Sequence, residues 1–123
     1  MKNLKWMCTG YLLIITTVIL MAQQKPVYEK EGRGTRVTHF YENGLIKETG
    51  TYDSKGQLNG DWVQYNPDGS ISFQAYFENG EKEGRWFRWE NEGQTMYEIT
   101  YADNKLVNVQ KWSLEQRNML AEN

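Results

Sequence analysis

The ten residues Gly60–Gly69 read GDWVQYNPDG, and the ten residues Gly84–Gly93, which begin 24 positions later, read GRWFRWENEG. Both stretches share the pattern Gly-x-Trp-x-x-aromatic-x-x-x-Gly, and a weaker copy runs from Thr35 to Gly44. Self-similarity at a fixed period of this length is typical of repeat proteins, in which each repeat is one small supersecondary unit. The sequence therefore predicts an array of repeats of roughly 24 residues each.

Turn residues divide each repeat into two strands. Strong hairpin signals, in which Asn or Asp precedes Gly, occur at Asn43-Gly44, Asp68-Gly69 and Asn79-Gly80. Glycine is favoured there because it reaches positive φ without a Cβ clash, and Asn and Asp tolerate the interior of a turn. Lys55-Gly56 and Glu92-Gly93 place glycine equivalently. The predicted structural turn glycines are Gly44, Gly56, Gly69, Gly80 and Gly93.

The runs between the turns have the length and composition of β-strands. They are rich in Trp, Tyr, Phe, Val, Ile and Thr, which favour strands. Seven strands are predicted, at about 36–41, 45–52, 61–66, 70–78, 85–90, 94–101 and 106–112. Short connections pair neighbouring strands antiparallel. Aromatics lie on both faces while Leu, Ile and Val are few, so we predict an all-β antiparallel meander forming a single twisted, elongated sheet.

The first 22 residues have the features of a signal peptide. Lys2 and Lys5 precede an apolar run over residues 11–22, which ends at the small residue Ala22. Its length fits the roughly 7–15 residues of a signal-peptide core and falls short of the roughly 20 that span a bilayer as a helix. We predict an N-terminal signal helix over residues 1–22, cleaved after Ala22, and export to the periplasm or the medium. An uncleaved membrane anchor is the alternative.

The rest of the chain divides into three parts. Residues 23–33 are predicted to be a polar linker, residues 34–112 the β-hairpin repeats, and residues 113–123 a short helix or tail. Ser113-Leu114-Glu115-Gln116 matches a capping box, in which Ser is the N-cap and Gln stands three residues later. A helix from about 114 to 121 follows from that motif and would cover the last strand, and a frayed tail is the alternative.

Charge and cysteine content exclude several classes of protein. Removal of residues 1–22 takes away Lys2, Lys5 and the single cysteine, Cys8, and leaves 12 Lys and Arg against 16 Asp and Glu. The mature chain then has no disulfide, thiol nucleophile or zinc–thiolate site. A nucleic-acid partner is not expected because no basic run is longer than a pair. The same deficit makes any membrane contact weak.

No arrangement of residues indicates an enzyme. His39 is the only histidine, so a Ser–His–Asp site would need it together with one of the serines Ser54, Ser70 and Ser72. No local signature supports such a site, and a multi-histidine metal site is impossible within one chain. We interpret His39 as a solvated strand residue.

Acidic residues in the turns suggest two further kinds of site. Carboxylates that could pair as in a glycosidase are Glu78, Glu81, Glu83, Glu90 and Glu92. The turns at Asp53 and Asp68 faintly resemble calcium loops but lack the EF-hand spacing. Ordinary turn chemistry explains all of them. We therefore predict no catalytic residue, no metal and no cofactor.

The strongest functional signal is a set of repeated aromatics, Trp62, Tyr65, Trp86 and Trp89. They are the candidate binding residues. Either they pack across neighbouring strands, or one face leaves them exposed to a protein partner or a sugar ring.

The segments Gly60–Tyr65 and Tyr76–Gly84 carry a resemblance to a known family. With Asp68-Gly69 between them, they resemble the variant MORN repeat (membrane occupation and recognition nexus), in the form of the bacterial YwqK-type family that is often labelled as an antitoxin. The resemblance covers roughly residues 34–107, although Thr35 and Val37 replace Gly and Trp in the first copy. It implies a stack of β-hairpins that binds protein or membrane partners and has no catalytic residues.

The preferred hypothesis is a non-enzymatic exported repeat protein that acts as an interaction or scaffold module in the cell envelope. A protein partner is expected, and homo-association is a further possibility because the sheet has open edges. A glycan- or peptidoglycan-binding module is the first alternative, and a YwqK-type antitoxin or immunity-like protein is the second.

Overall fold

The computed structural model describes residues 24–123, so the predicted signal segment, residues 1–22, lies outside the described residues. Nine strands and one helix follow in chain order: β1 (Val27–Glu31), β2 (Gly34–Phe40), β3 (Ile46–Tyr52), β4 (Gly60–Tyr65), β5 (Ile71–Glu78), β6 (Glu81–Lys82), β7 (Gly84–Glu90), β8 (Thr95–Ala102), β9 (Lys105–Ser113) and α1 (Leu114–Ala121).

The strands form one open antiparallel sheet. Its order is β1-β2-β3-β4-β5-β7-β8-β9, and the two-residue strand β6 pairs only with β5. Every neighbour along this path is also the next long strand in the sequence, so the sheet is a meander. The predicted fold class, an all-β meander of hairpins in a single sheet with a short C-terminal helix, is confirmed.

The prediction of a polar linker over residues 23–33 is wrong for Val27–Glu31, which form β1. This strand pairs with β2 from Val27↔Thr38 to Glu31↔Gly34, across a turn in which Gly32 has a φ of 59°. All five of its residues are exposed, so its sequence carries no alternation of apolar and polar side chains. Backbone pairing alone places this strand in the sheet.

The core lies on one face of the sheet, which we call the core face. Its buried residues are Val37, Trp62, Ala75 and Trp86. Cross-strand partners share a face, and one row of such partners crosses the whole sheet through Tyr28, Val37, Gly50, Trp62, Ala75, Trp86, Ile99 and Val109. A single layer therefore buries its apolar groups against neighbouring strands, as repeat arrays do.

Each tryptophan of this row has a small residue across from it on the preceding strand, Gly50 for Trp62 and Ala75 for Trp86. The ring of Trp62 lies over Gly50, where a Cβ atom would come within 2.1 Å of it. The Trp62 indole N–H donates to the Thr51 carbonyl oxygen at 3.3 Å, and the Trp86 indole N–H donates to the Tyr76 carbonyl oxygen at 2.9 Å. The repeat thus reproduces the same indole position twice.

The turns have the backbone conformation that the sequence predicts for them. The five predicted turn glycines all have φ between 77° and 91°, a range that side chains with a Cβ rarely adopt. At the connection between β5 and β6, Asn79 and Gly80 both have positive φ (51° and 79°), which is the tight turn that matches the twist of a hairpin.

Helix α1 begins with the predicted capping box. The Ser113 hydroxyl accepts from the Gln116 backbone N–H, and the Gln116 side chain accepts from the Ser113 backbone N–H. Arg117 donates to the Gly93 carbonyl oxygen and fastens the helix to the turn between β7 and β8. Within residues 24–123, no helix is long and apolar enough to span a bilayer.

Candidate functional site

The structure separates the four candidate binding residues onto two faces. Trp62 and Trp86 point to the core face and are only 8% and 6% exposed. Tyr65 and Trp89 lie on the other face, which we call the opposite face, and are half-buried there. Burial of both indoles favours the packing interpretation of Trp62 and Trp86, because little of either ring is left for a ligand.

A groove on the core face lies directly above the first of these indoles. We call it the aromatic groove; its volume is about 320 Å³. Its lining comes from β2, β3, β4 and β5 and from the segment between β3 and β4, and consists of His39, Glu48, Tyr52, Leu58, Trp62, Gln64, Phe73, Ala75 and Phe77. Apolar and aromatic side chains form most of the wall, with polar groups at one end, which is the composition of protein binding sites.

Aromatic contacts hold the groove in shape. Tyr52 and Trp62 meet edge-on with ring centroids 5.4 Å apart, and Phe73 meets Trp86 edge-on at 5.6 Å. Phe77 is tilted against Trp86 at 5.1 Å. Edge-to-face pairs at these distances are favourable beyond their buried area, so the groove walls are fixed before any partner arrives.

The polar end of the groove consists of three side chains in one cross-strand row. His39 is the register partner of Glu48, and Glu48 is the register partner of Gln64. The Gln64 side-chain amide donates to the Glu48 carboxylate at 3.4 Å, and Gln64 is exposed. This end supplies a carboxylate, an amide and an imidazole to a bound chain.

Two larger depressions lie along the turn edge of the sheet, with volumes of about 640 and 710 Å³. Their walls combine polar and apolar residues of turns and strand ends, for example Asn43 beside Phe40 in the first and Asn91 beside Trp89 in the second. No residue of the buried core cluster lines either depression, whereas Trp62 and Ala75 of that cluster line the aromatic groove. The smaller aromatic groove is therefore the better candidate.

The two faces of the sheet differ in charge. On the strands, the core face carries the cations Lys30, Lys82, Arg88 and Lys111 and the carboxylates Glu48 and Glu90. The opposite face carries the cations Arg36, Arg85 and Lys105 and the carboxylates Glu29, Glu31, Asp61, Glu78, Glu81 and Glu98, while Lys47 lies at the bulge between β2 and β3. The sheet is thus more basic on the core face, although the chain as a whole is acidic.

Cations on the core face lie over aromatic rings. The Lys82 ammonium is 5.5 Å from the ring centroid of Trp86 and 5.1 Å from that of Tyr101. Arg88 and Lys111 both lie over Tyr97, at 5.0 and 5.8 Å. These contacts hold positive charge against the sheet beyond the groove.

An ion pair on the opposite face ties β1 to its neighbours. The Arg36 guanidinium lies 2.8 Å from the Glu31 carboxylate, and Glu31 also accepts from the Thr51 hydroxyl at 3.3 Å. The hydrogen bond from Arg36 lowers the pKa of Glu31. This cluster is structural: it joins β1 through β2 to β3.

Of the residues considered for catalysis, Glu78 and Glu81 face each other across the β5–β6 turn, whereas His39 does not meet the serines. No hydrogen bond joins His39 to Ser54, Ser70 or Ser72 in the part of the chain that the structure describes. Glu83 accepts from the Asp103 backbone N–H at 3.0 Å. Glu83 therefore stabilises a turn rather than acting as one of a pair of active-site carboxylates.

The acidic turn residues cap their own turns. Asp53 accepts from the backbone N–H groups of Lys55 and Gln57, both at 2.9 Å. Asp68 accepts from the Ser70 backbone N–H at 2.8 Å. Among residues 24–123, no group of three or more His, Cys, Asp and Glu side chains could hold a metal ion.

Two stretches of the chain, residues 58–80 and 82–103, match the family model of the MORN repeat variant. The first match contains Trp62 and the β4–β5 hairpin, and the second contains Trp86 and the β7–β8 hairpin. Residues 58–103 therefore contain two repeats similar to the MORN repeat variant. MORN repeats form a non-catalytic family and generally mediate protein or membrane interactions. No curated protein matches the chain in sequence.

Sequence reasoning does not find most of the groove. From the sequence, Tyr52, Phe73 and Phe77 are ordinary strand residues, and Gly50 and Ala75 carry no prediction. The signal that would find them is the cross-strand register: Gly50 and Ala75 are the small residues on the strands that precede Trp62 and Trp86. Register depends on the bulges, which the repeat pattern does not reveal.

Proposed function

We propose that this protein is a non-enzymatic interaction module of the cell envelope, which binds a protein partner through the aromatic groove. The observation that carries this proposal is the groove itself, an apolar site of about 320 Å³ with its walls fixed by edge-on aromatic pairs. Preformed apolar sites with a polar rim are where binding energy concentrates in protein interfaces.

The charge of the core face supports a particular kind of partner. Lys82, Arg88 and Lys111 lie beyond the groove on the same face, whereas the opposite face carries six of the strand carboxylates. An extended segment with apolar side chains and acidic neighbours fits this face, since its apolar groups fill the groove and its carboxylates reach the cations. Association with such a segment is steered by charge and weakens as salt rises.

Export is the second part of the proposal, and its support comes from residues 1–22. The short apolar run that ends at Ala22 has the length of a signal-peptide core. An exported chain meets its partner in the periplasm, at the membrane surface or outside the cell. A scaffold that holds an envelope partner in place is the role that follows.

A glycan-binding role has less support than a protein partner. Sugar rings stack on exposed aromatic faces, and the two repeated indoles, Trp62 and Trp86, are more than nine-tenths buried. No described residue specifically favours a YwqK-type antitoxin or immunity-like role. It would share the groove, because an immunity protein is itself a protein-binding module.

Two identical substitutions on opposite faces test the role of the groove. Gln64 is exposed at the rim and lies across from Glu48, and Gln110 is exposed on the opposite face across from Glu98. Gln64→Glu and Gln110→Glu therefore each add one carboxylate beside an existing one, at a similar small cost to stability. We expect Gln64→Glu to lower the affinity for the partner at least about tenfold, equivalent to about 1.4 kcal/mol, and Gln110→Glu to leave it unchanged.

The measurement uses tagged full-length chain expressed at its natural level, with cross-linking, capture and identification of bound proteins by mass spectrometry. Loss of one defined protein in Gln64→Glu, with retention in Gln110→Glu, supports the groove as the site. Equal retention in both variants, both still folded by circular dichroism, would show that the partner binds elsewhere or that none exists.

A further inference from the structure

The two outer strands of the sheet are protected very differently. Strand β1 has five residues, and three of them are charged: Glu29, Lys30 and Glu31. Strand β9 has nine residues and exposes three large apolar side chains: Leu106 at 58%, Val107 at 63% and Val109 at 51%. Short strands and charges are the usual means by which sheets discourage pairing at an edge, and repeat arrays end in polar caps. β9 lacks both.

The backbone of β9 is also available for pairing. The Leu114 backbone N–H donates to the Gln94 carbonyl oxygen at 2.8 Å, which fixes the phase of hydrogen bonding between β8 and β9. Because successive residues of an antiparallel strand point their N–H and C=O groups to alternate sides, the backbone groups of Val109 and Lys111 point to the open edge. Within residues 24–123, no other segment pairs with that edge.

We propose that β9 pairs antiparallel with β9 of a second copy of this chain, so that two sheets become one. A twofold axis through Val109 places Val109 opposite its own counterpart and Lys111 opposite Val107 of the other copy. This register joins apolar side chains and sets no lysine against another lysine, and like charges directly opposite are what destabilises a strand pair. The same patch is used by both copies, so the pairing closes at two.

The chain offers two other occupants for the edge, and neither fits as well. Pairing of β9 with β1 of another copy would not close and would build an open filament. Residues 1–23 precede β1 in the sequence, and β1 is seven strand spacings, or about 34 Å, from β9. A second β9 needs neither an open filament nor a long crossover of the chain.

The twofold arrangement has a consequence for binding. An axis perpendicular to the sheet keeps the core faces of both copies on the same side, so the dimer presents two aromatic grooves together. A partner with two matching segments would then bind bivalently, with an avidity well above that of one groove. The dimer itself does not depend on the proposed function of the groove.

Proline scanning at the two edges tests the pairing. Val109→Pro removes an N–H that points away from β8 and has no partner within residues 24–123, so it blocks the edge while the β8–β9 ladder stays intact. Lys30→Pro is the matched control, because the alternation from the pair Glu31↔Gly34 also points the Lys30 N–H outward. Light scattering on the purified full chain should give twice the monomer mass for the native protein and for Lys30→Pro, and the dimer dissociation constant should rise at least about tenfold in Val109→Pro.

Val109→Lys gives the same test without a backbone change, since it sets two lysines opposite one another, and it is expected to be monomeric. A native protein that is monomeric at about 100 µM would overturn the proposal. Dimers that survive both Val109 variants would overturn it as well. Loss of association in both proline variants would instead mean β9–β1 pairing, which also contradicts it.

A spin-label measurement gives the geometry directly. A nitroxide at Val109→Cys, in a chain where the single native cysteine is changed by Cys8→Ser, should show a short label–label distance, because the paired Cβ atoms are about 5 Å apart. The same label at Tyr28→Cys on β1 should show none, because the two β1 strands would be about 70 Å apart. A short distance at Tyr28, or none at Val109, contradicts the pairing.

Discussion

Trp62 and Trp86 occupy equivalent places in successive repeats, and each lies over the strand before it. Both indole N–H groups donate to a backbone carbonyl of that strand. The Trp62 ring lies over Gly50, and the cross-strand register places the small residue Ala75 opposite Trp86 in the same buried cluster. At the next position of the row, Ile99 faces Val109, where neither a small residue nor an indole is present. The tryptophans of this row therefore stop before Ile99. The match to the family model ends close by, at residue 103.

Gly50 is the residue on which the first of these contacts depends. A Cβ atom at this position would lie 2.1 Å from the Trp62 ring, and the ring cannot shift without leaving its carbonyl partner. We expect Gly50→Ala to lower the free energy of unfolding by about 1–3 kcal/mol, the range for overpacking a core. Urea unfolding followed by tryptophan fluorescence measures it.

The matched variant is Ala75→Gly, which removes a methyl group at the equivalent place opposite Trp86. It is expected to lower the free energy of unfolding by only about 0.5–1 kcal/mol, the cost of glycine in a strand. If Ala75→Gly proved the more damaging of the two, the account of the indole paired with a small residue would be wrong.

Asp68 gives the fold a pH-dependent contact. Its carboxylate accepts from the Ser70 backbone N–H and hydroxyl, and these bonds lower its pKa below the ordinary value. A carboxyl group with a lowered folded-state pKa stabilises the protein above its unfolded-state pKa, and this stability is lost as pH falls through the folded-state value. We expect the native protein to exceed Asp68→Asn in stability at about pH 6 and to lose that advantage progressively towards about pH 3.

Urea unfolding of both proteins at the two pH values tests this, since the asparagine side chain keeps an acceptor but cannot titrate. The other carboxylates are common to both chains, so their titration cancels in the difference. An advantage of the native protein that stays constant between the two pH values would show that the Asp68 contact does not contribute.

The aromatic residues show what the sequence predicts for single residues and what it does not. The repeat pattern predicts Trp62 and Trp86 as a matched pair, and the structure buries both. Whether a strand residue faces the core or solvent depends on its partners across the sheet. Gly50 decides this for Trp62, and no local pattern around Gly50 reveals it.

Strand β1 shows where sequence reasoning fails at the scale of elements. Its five residues are all exposed, so its position in the sheet comes from backbone pairing and from the Arg36–Glu31 ion pair rather than from apolar burial. The other long strands are easier to predict because several of their turns contain Asn or Asp in a turn pair, such as Asn43-Gly44, Asp68-Gly69 and Asp103-Asn104. A turn built around Gly32 and Arg33 has no such signature.

Helix α1 is predictable because its start is encoded locally. The capping box at Ser113 and Gln116 satisfies two backbone N–H groups that would otherwise lack partners in the first turn. We expect Ser113→Ala to destabilise the helix by about 1 kcal/mol. Amide hydrogen exchange over residues 114–121 should accelerate, while exchange in β4 and β5 stays as in the native protein.

Asn118→Ala is the control for this variant, because Asn118 is exposed on the same helix and outside the capping box. It should leave exchange in the helix as slow as before or slower, since alanine is the better helix former. Equal acceleration in both variants would mean that the helix depends on its interior residues and not on its cap.

For the whole molecule, the sequence predicts the repeat and the single sheet, because the period and the turns are local signals repeated along the chain. It does not predict the aromatic groove, which is assembled from four strands and the segment before β4. The sequence also does not predict the charge difference between the faces, because a register shift of one residue would move each side chain to the other face.

The first 22 residues predict that the protein is exported. Mass spectrometry of the protein purified from the producing cell should find a chain that starts at Gln23, in the periplasmic fraction or the medium. The reason is the short apolar run that ends at Ala22. A full-length chain in the membrane fraction would mean that residues 11–22 are an anchor, and the module would then be membrane-tethered.

The most direct test of the central claim is photo-cross-linking in the producing cell, with benzoylphenylalanine placed once at Gln64, on the rim of the aromatic groove, and once at Gln110, on the opposite face. Both positions are exposed strand residues with a glutamate as cross-strand partner, so the two labels differ mainly in the face that they report. We predict one defined protein cross-linked from position 64 and absent from position 110. The same products from both positions, or none from position 64 while the chain is folded, would contradict a partner in the groove.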